Sequence, residues 1–249
     1  MKKVLFFHIM RENYSGAQKN IYRLLTNLDQ SKIKPTLIGQ QESPLTKKSS
    51  EEGIDVAILP YPIELSVYEG KLLSFNPLVF IRFLIGLIRY AKYFLQELSR
   101  SQPDIIWCDN IRTFITLYIP SKFYGAKIIW NIWSEPKGKV AWILHRIGLM
   151  LADCINLEYE AQGKKIFGKL INLPYSQRKI KTLYTGVTDS DIITNNNIKE
   201  ELSLNNEAIL LVMASNIDPL KGQLDIIEAL NTIDNNNLHL AIAGTPVAS

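Results

Sequence analysis

The chain has 249 residues, 47% hydrophobic and 21% charged, enough to bury a large core and unlike a disordered or collagen-like chain. Its 28 Lys and Arg against 24 Asp and Glu leave a formal net charge of +4, too mild to imply nucleic acid but compatible with an anionic ligand or an acidic membrane surface. Two cysteines, Cys108 and Cys154, end apolar runs without metal-ligand spacing, so they read as buried free thiols of a reducing compartment, and a cytoplasmic location is expected.

Val4 to Ile9 is the first predicted strand; no small-residue cleavage site follows it, so a strand fits better than a signal peptide. After the loop from His8 to Ser15, Gly16 opens a helix whose Ile21, Leu24, Leu25 and Leu28 share one face. The Ser15-Gly16-Ala17 corner can offer backbone N–H groups to an anion or a sugar hydroxyl. It is not a GxGxxG fingerprint and no ribose-binding acid follows, which disfavours a nicotinamide enzyme. Lys34 to Gly39 and Ile54 to Leu59 are the next two strands, with one short helix expected between them. The loop from Pro60 to Gly70 is rich in turn residues, and loops of that length often carry function.

Asn76-Pro77 reads as a cap and first helical residue, and the helix runs to Leu98. It is apolar around most of its circumference, with a narrow basic stripe of Arg82, Arg89 and Lys92. Two roles fit: a helix packed between the sheet and its neighbours, or a membrane-surface or partner-binding face. Arg82 leaves an uninterrupted apolar stretch well short of the roughly 20 residues a spanning helix needs. Asp104 to Cys108, Ala126 to Asn131 and Asp153 to Leu157 continue as strands, joined by helices at Ile111 to Tyr124 and Lys139 to Leu151.

This alternation predicts an α/β doubly wound parallel sheet whose ligand cleft lies beyond the carboxyl ends of the strands. Asp109, Asn110, Trp133, Ser134 and Glu135 fall in loops on that edge. Trp133 also fits core packing, and Glu135 before Pro136 also fits a helix approach. His8 is the best placed of the three histidines; His145 lies on an apolar helix and His239 in a strand. No metal-ligand cluster and no Gly-x-Ser-x-Gly elbow occurs. Lys181 to Val187 closes a first domain of residues 1–190, and a polar, asparagine-rich linker opens a second of residues 191–249. There Ile209 to Ala214 is a strand, Lys221-Gly222 a corner suited to an anion, Ile226, Ile227 and Leu230 one face of a helix, and Leu238 to Ala243 another strand.

In this order the motifs resemble the retaining glycosyltransferases of family 4, which have the GT-B fold of two Rossmann-like domains. Ser15-Gly16-Ala17-Gln18 is similar to the family's glycine-rich first loop and Gly53 to Pro60 to its third-strand phrase. Leu183-Tyr184-Thr185-Gly186-Val187 resembles its Asn-Gly-Val turn, Pro219-Leu220-Lys221-Gly222 its Pro-x-Lys-Gly corner, and Leu240 to Gly244 the strand that follows. The resemblance implies that Lys221 binds the diphosphate of a nucleotide-sugar, which is a substrate, so that no cofactor and no metal is needed. It makes Lys221, Gly222, Asn216 and Gly16 the nucleotide-binding candidates. Asn216 stands where the family has an arginine, Thr185 where it has an asparagine, and the family's paired glutamates would fall beyond Ser249.

The expectation is therefore a GT-B glycosyltransferase with an acceptor-binding domain nearly whole and only the start of the nucleotide-sugar domain. About 55 residues of that second domain are too few to close a core, so apolar faces of its strands should be exposed. Ser15, Gly16, Asp109, Trp133, Ser134 and Glu135 are the acceptor-binding candidates, with His8 and Glu135 as candidates for catalysis. The expected partners are a nucleotide-sugar, a glycan or lipid-linked acceptor and a membrane surface met by residues 77–98, which implies a peripheral place at the inner membrane face. Nucleic acid is not expected. A non-catalytic binding module, or half of a split glycosyltransferase completed by a second chain, is the alternative; an epimerase of the same architecture lacks a clear acid and base pair.

Overall fold

A computed structural model describes residues 1–9, 16–62, 65, 77–136, 138–186 and 197–246. Ser15, Asn76, most of the predicted loop 60–70 and the linker stretch 187–196 lie outside the described residues. The chain divides into two compact units, Met1–Gly186 and Val187–Ser249.

The first unit carries seven strands: β1 (Lys2–His8), β2 (Ile33–Gly39), β3 (Asp55–Ile58), β4 (Ile105–Cys108), β5 (Lys127–Ile132), β6 (Cys154–Leu157) and β7 (Ile180–Thr182). They form one parallel sheet in the order β3-β2-β1-β4-β5-β6-β7. The order reverses between β1 and β4, and such a switch point opens a crevice at the carboxyl ends of the two strands. The near-continuous apolar runs of β1, β5 and β6 follow from burial on both faces.

Helices α1 (Gly16–Thr26) and α2 (Pro44–Glu51) cover one face through Ile21, Leu25 and Leu45, which pack on Val4, Phe6 and Leu37. The other face is covered by α3 (Pro77–Ser101), α4 (Ile111–Tyr124), α5 (Lys139–Leu151) and α6 (Glu160–Phe167), whose Tyr90, Phe94, Phe114, Leu149 and Phe167 meet Phe7, Ile106, Trp130 and Ile155. Capping boxes fix the starts of α2, at Ser43 and Thr46, and of α4, at Asn110 and Thr113. His145 on α5 is a core histidine, its Nδ1 2.7 Å from the carbonyl of Ala141 and its ring against Trp130. A 3₁₀ turn (Gly168–Asn172) and a short helix α7 (Pro174–Lys179) lead into β7.

β1 begins two residues earlier than expected and ends at His8, and of the stretch from Lys181 expected to hold a seventh strand and a glycine turn, the strand spans Ile180–Thr182. The helices between β6 and β7 were not anticipated, because runs of eight and six residues carry too little periodicity to stand out.

In the second unit a short α8 (Ile198–Glu201) precedes β8 (Ile209–Ala214), which pairs in parallel with β9 (Leu238–Ala243); α9 (Gln223–Leu230) joins them. Ile209, Leu211 and Val212 on β8 and Ile242 on β9 are exposed, as expected of two strands and one helix. Among the described residues no helix is long and apolar enough to cross a membrane.

Candidate functional site

The ladder registers align one polar row across the carboxyl ends of four neighbouring strands. Phe7 pairs with Cys108 and Cys108 with Trp130, so the next residues, His8, Asp109 and Asn131, stand level. Asn131 in turn pairs with Asn156. All four belong to the face that α1 and α2 cover, since they alternate with Phe7, Cys108, Trp130 and Ile155 of the opposite core. All four are buried. Buried polar side chains are retained where they are paired or where they serve a ligand, and here they gather at the switch point.

The row is paired through its side chains. His8 Nδ1 lies against Asp109 Oδ2, an ion pair when the imidazole is protonated. Asp109 Oδ1 accepts from Asn110 Nδ2 at 2.8 Å and from Thr113 Oγ1 at 3.3 Å, which ties the carboxylate to the first turn of α4. A carboxylate beside one ring nitrogen orients the imidazole and leaves its other nitrogen open to a ligand. Further along, Asn156 Nδ2 donates to Asn131 Oδ1 at 2.5 Å, while Asn131 Nδ2 is buried without a partner among the described residues. Gln162 closes this end, donating to the Ile132 carbonyl and accepting from the Glu158 N–H. Burial raises the Glu158 carboxyl above its ordinary value.

Beneath His8, on the α3 side, Phe7, Tyr61, Tyr90 and Phe94 form an aromatic cluster. The Tyr61 hydroxyl bonds Thr116 Oγ1 at 2.7 Å, and burial pushes its pKa up to about 12. Burial likewise drives the Cys108 thiol well up, so it is an inert core group rather than a nucleophile.

The other predicted residues of this unit divide. Glu135 is engaged by Lys165 at 2.6 Å and by the Tyr159 hydroxyl at 3.2 Å; Lys165 chiefly holds its carboxyl below the usual range. That suits a structural carboxylate better than a general acid. Trp133 packs against the core under α1 and α2, Ser134 is exposed, and Gly16 opens α1 with open space where a Cβ would stand. Ser15 lies outside the described residues. Asn131 and Asn156 were missed, although a lone asparagine inside each of the runs Ile-Ile-Trp-Asn-Ile and Cys-Ile-Asn-Leu was a usable signal.

The second unit holds the anion-suited corner. After β8, Asp218 caps a 3₁₀ turn (Pro219–Lys221), accepting from the Leu220 N–H at 2.8 Å. Gly222 follows at φ +76°, a left-handed conformation that glycine takes without strain, and serves as the N-cap of α9. Because that cap has no side chain, the first N–H groups of α9 meet no capping oxygen. Lys221 is exposed beside them, and Asp225 in the first turn brings a carboxylate to the same corner. Gln223 is buried and donates to Ser215 Oγ at 3.1 Å and to the Asn216 carbonyl at 2.8 Å, which pins the loop after β8 to the helix. Asn216 itself is exposed. Among the described residues no three His, Cys, Asp or Glu side chains group as a metal site.

No protein-family model and no curated protein matches the chain. Solved structures do. HepE of Anabaena, in complex with UDP and glucose, is 13% identical with a TM-score of 0.68 over 99% of this chain and 62% of its own. A glycosyltransferase from Rickettsia africae is 16% identical with a TM-score of 0.68 over 98% of this chain and 60% of its own. The sucrose-phosphate synthase of Thermosynechococcus elongatus is 10% identical with a TM-score of 0.64 over 98% of this chain and 71% of its own. The chain thus spans 62% and 60% of the length of the first two. At these identities the likeness establishes the fold: an α/β chain of GT-B type, with a seven-stranded parallel Rossmann-like unit followed by a second, shorter α/β unit.

Proposed function

We propose that the chain serves the transfer of a sugar from a nucleotide-sugar to a glycan or lipid-linked acceptor, with Lys221 and the N-terminus of α9 taking the diphosphate. The observation that carries this is the corner itself. A lysine, a left-handed glycine and uncapped helix N–H groups stand at the carboxyl end of β8, in a fold whose solved neighbours include HepE complexes with UDP and with UDP-glucose.

In the proposed reaction the acceptor oxygen bonds to the anomeric carbon as that carbon's bond to the diphosphate oxygen breaks. The electron pair departs on the nucleoside diphosphate, and a cation with oriented N–H groups stabilises the negative charge that grows there. The family resemblance favours retention, in which the acceptor proton passes to the departing phosphate oxygen. The contact between His8 and Asp109 favours a second course. An imidazole oriented by a buried carboxylate is equipped to take the acceptor proton itself, and direct displacement assisted in this way inverts the anomeric centre.

The test is release of nucleoside diphosphate from a panel of UDP-, GDP- and ADP-sugars, with and without lipid-linked and free glycan acceptors. The proposal expects acceptor-dependent release that Lys221→Ala lowers. Absence of release across the panel, together with absence of binding to any of the nucleotides, would overturn it. The anomeric configuration of the product, read by NMR, separates the two courses. Under inversion His8→Ala lowers the rate by about 10²–10⁴-fold with the nucleotide KM unchanged; under retention the rate is far less sensitive.

A further inference from the structure

The helix α3 presents two faces of unlike purpose. Tyr90, Phe94 and Leu98 are fully buried against the sheet, with Phe83 and Leu87 packed partly behind them. On the opposite side Ile81, Ile85 and Ile88 recur at helical spacing and are 51%, 50% and 73% exposed. A helix that only packed against the sheet would turn polar residues outward there. Arg82 and Arg89 flank this apolar row and Lys92 continues it, all three exposed.

Charge around the row is one-sided. α3 contains no carboxylate before Glu97, and Arg100 holds that one at 2.8 Å. Neither α4 nor α5, the next helices of the same layer, contains any Asp or Glu. An apolar row edged by arginines, in a helix layer almost free of acids, complements a surface that is apolar within and anionic at its face. That is a bilayer bearing anionic headgroups, entered to headgroup depth rather than crossed, and no described helix is long and apolar enough to cross one.

The row's position gives it a use. Because α3 joins β3 to β4 of one parallel sheet, it must return against the strand direction, and its Tyr90 and Phe94 lie against Phe7, next to the carboxyl end of β1. The turns holding Ile81, Ile85 and Ile88 therefore reach toward the edge where His8 and Asp109 sit. At about 1.5 Å per residue the stretch before Tyr90 spans roughly 20 Å.

We propose that the outward face of the N-terminal half of α3, built on Ile81, Ile85 and Ile88 with Arg82, Arg89 and Lys92, docks this chain on anionic lipid bilayers. It thereby brings the row at the carboxyl edge of the sheet to the membrane surface. This goes beyond the transfer reaction and is measured without any nucleotide, so either can fail alone.

The experiment is vesicle sedimentation of the full chain against phosphatidylcholine vesicles with and without 30% phosphatidylglycerol. The expected result is binding to the anionic vesicles that weakens with added salt, and little binding to phosphatidylcholine alone. Replacing Arg82, Arg89 and Lys92 together by Gln should lower the anionic partition coefficient on the order of a hundredfold. Ile85→Asp with Ile88→Asp should lower it at least tenfold. Both variants alter exposed side chains, and circular dichroism confirms that each remains folded. Equal binding of wild type and both variants, equal binding to the two vesicle types, or no binding to either would overturn the proposal. So would a self-associated wild type in the ultracentrifuge that the Ile85→Asp, Ile88→Asp variant makes monomeric, which would assign the face to a second copy of the chain.

Discussion

Replacing Gly244 by Ala tests whether the corner at Lys221 depends on the close approach of two loops. A Cβ at position 244 would stand 1.8 Å from the Ser215 carbonyl oxygen and 2.7 Å from its carbon. Both are backbone atoms, so no side chain can swing aside, and the loops after β8 and β9 must separate by more than 1 Å to reach ordinary contact. That separation strains two backbone bonds, Ser215 N–H to Ala243 O at 3.0 Å and Ile217 N–H to Thr245 O at 2.9 Å. At about 1 kcal/mol net for each, with about 1–2 kcal/mol of overpacking strain, the second unit should lose about 3–4 kcal/mol. Opening of β8 and β9 should rise by two to three orders of magnitude. Hydrogen exchange followed by mass spectrometry reads this directly, with the first unit of the same chain as the internal control. Since Ser215 and Asn216 also hold Gln223 of α9, nucleotide affinity should fall with protection. Wild-type exchange over 209–217 and 238–246 in the Gly244→Ala chain would mean that the two loops part without cost and that their close approach does not hold the corner.

In the first unit, Gly148→Ala would set a Cβ 2.5 Å from Trp130 Cζ3 in the main core, so thermal denaturation should show a loss of about 1–3 kcal/mol; an unchanged Tm would mean that the ring moves freely. Burial lowers the His145 pKa, so the unfolded chain takes up that proton first as pH falls. The stability it contributes is complete above the ordinary histidine value near 6.5, begins to fall as pH drops through that value, and is fully lost only below the lowered folded-state value. The Tm decline on acidification should therefore flatten in His145→Leu, and identical slopes in the two proteins would exclude this source. Asn131→Leu removes the oxygen that accepts from Asn156 Nδ2 and leaves that buried donor unpaired, so thermal denaturation should show a loss of about 1–3 kcal/mol; an unchanged Tm would mean that Asn156 finds another partner.

Much of this fold could be read from local pattern. The apolar runs and their intervening amphipathic stretches place β1, β2, β4, β5 and β6 to within two residues, since strands of a covered parallel sheet leave little choice of residue, and the apolar run of β8 marks that strand although its own side chains are largely exposed. The Pro77 start of α3 and the Asn110 cap of α4 follow from side-chain chemistry that acts within one turn. What pattern could not supply is lateral order. His8 and Asp109 are brought together only because β4 lies beside β1, on the far side from β2 and β3, and nothing local in either segment encodes that neighbour. The same holds for Glu135, whose engagement by Lys165 and Tyr159 depends on where α6 packs. The exposed isoleucines of α3 lie between these cases. Their apolar character was plain in the sequence, but which arc faces outward is fixed by the packing of Tyr90 and Phe94 on Phe7.

Calorimetric titration of the full chain with UDP, GDP and ADP measures whether the Lys221 corner holds a nucleoside diphosphate. A lysine contact to a diphosphate is a charge-assisted bond, so Lys221→Ala should weaken the preferred nucleotide by about 10- to 100-fold. Asp225→Asn, which removes a carboxylate from the same corner, should tighten it, and the corresponding nucleoside without phosphates should bind far more weakly. Binding of the same diphosphate with equal affinity by wild type and Lys221→Ala would mean that the corner does not hold it.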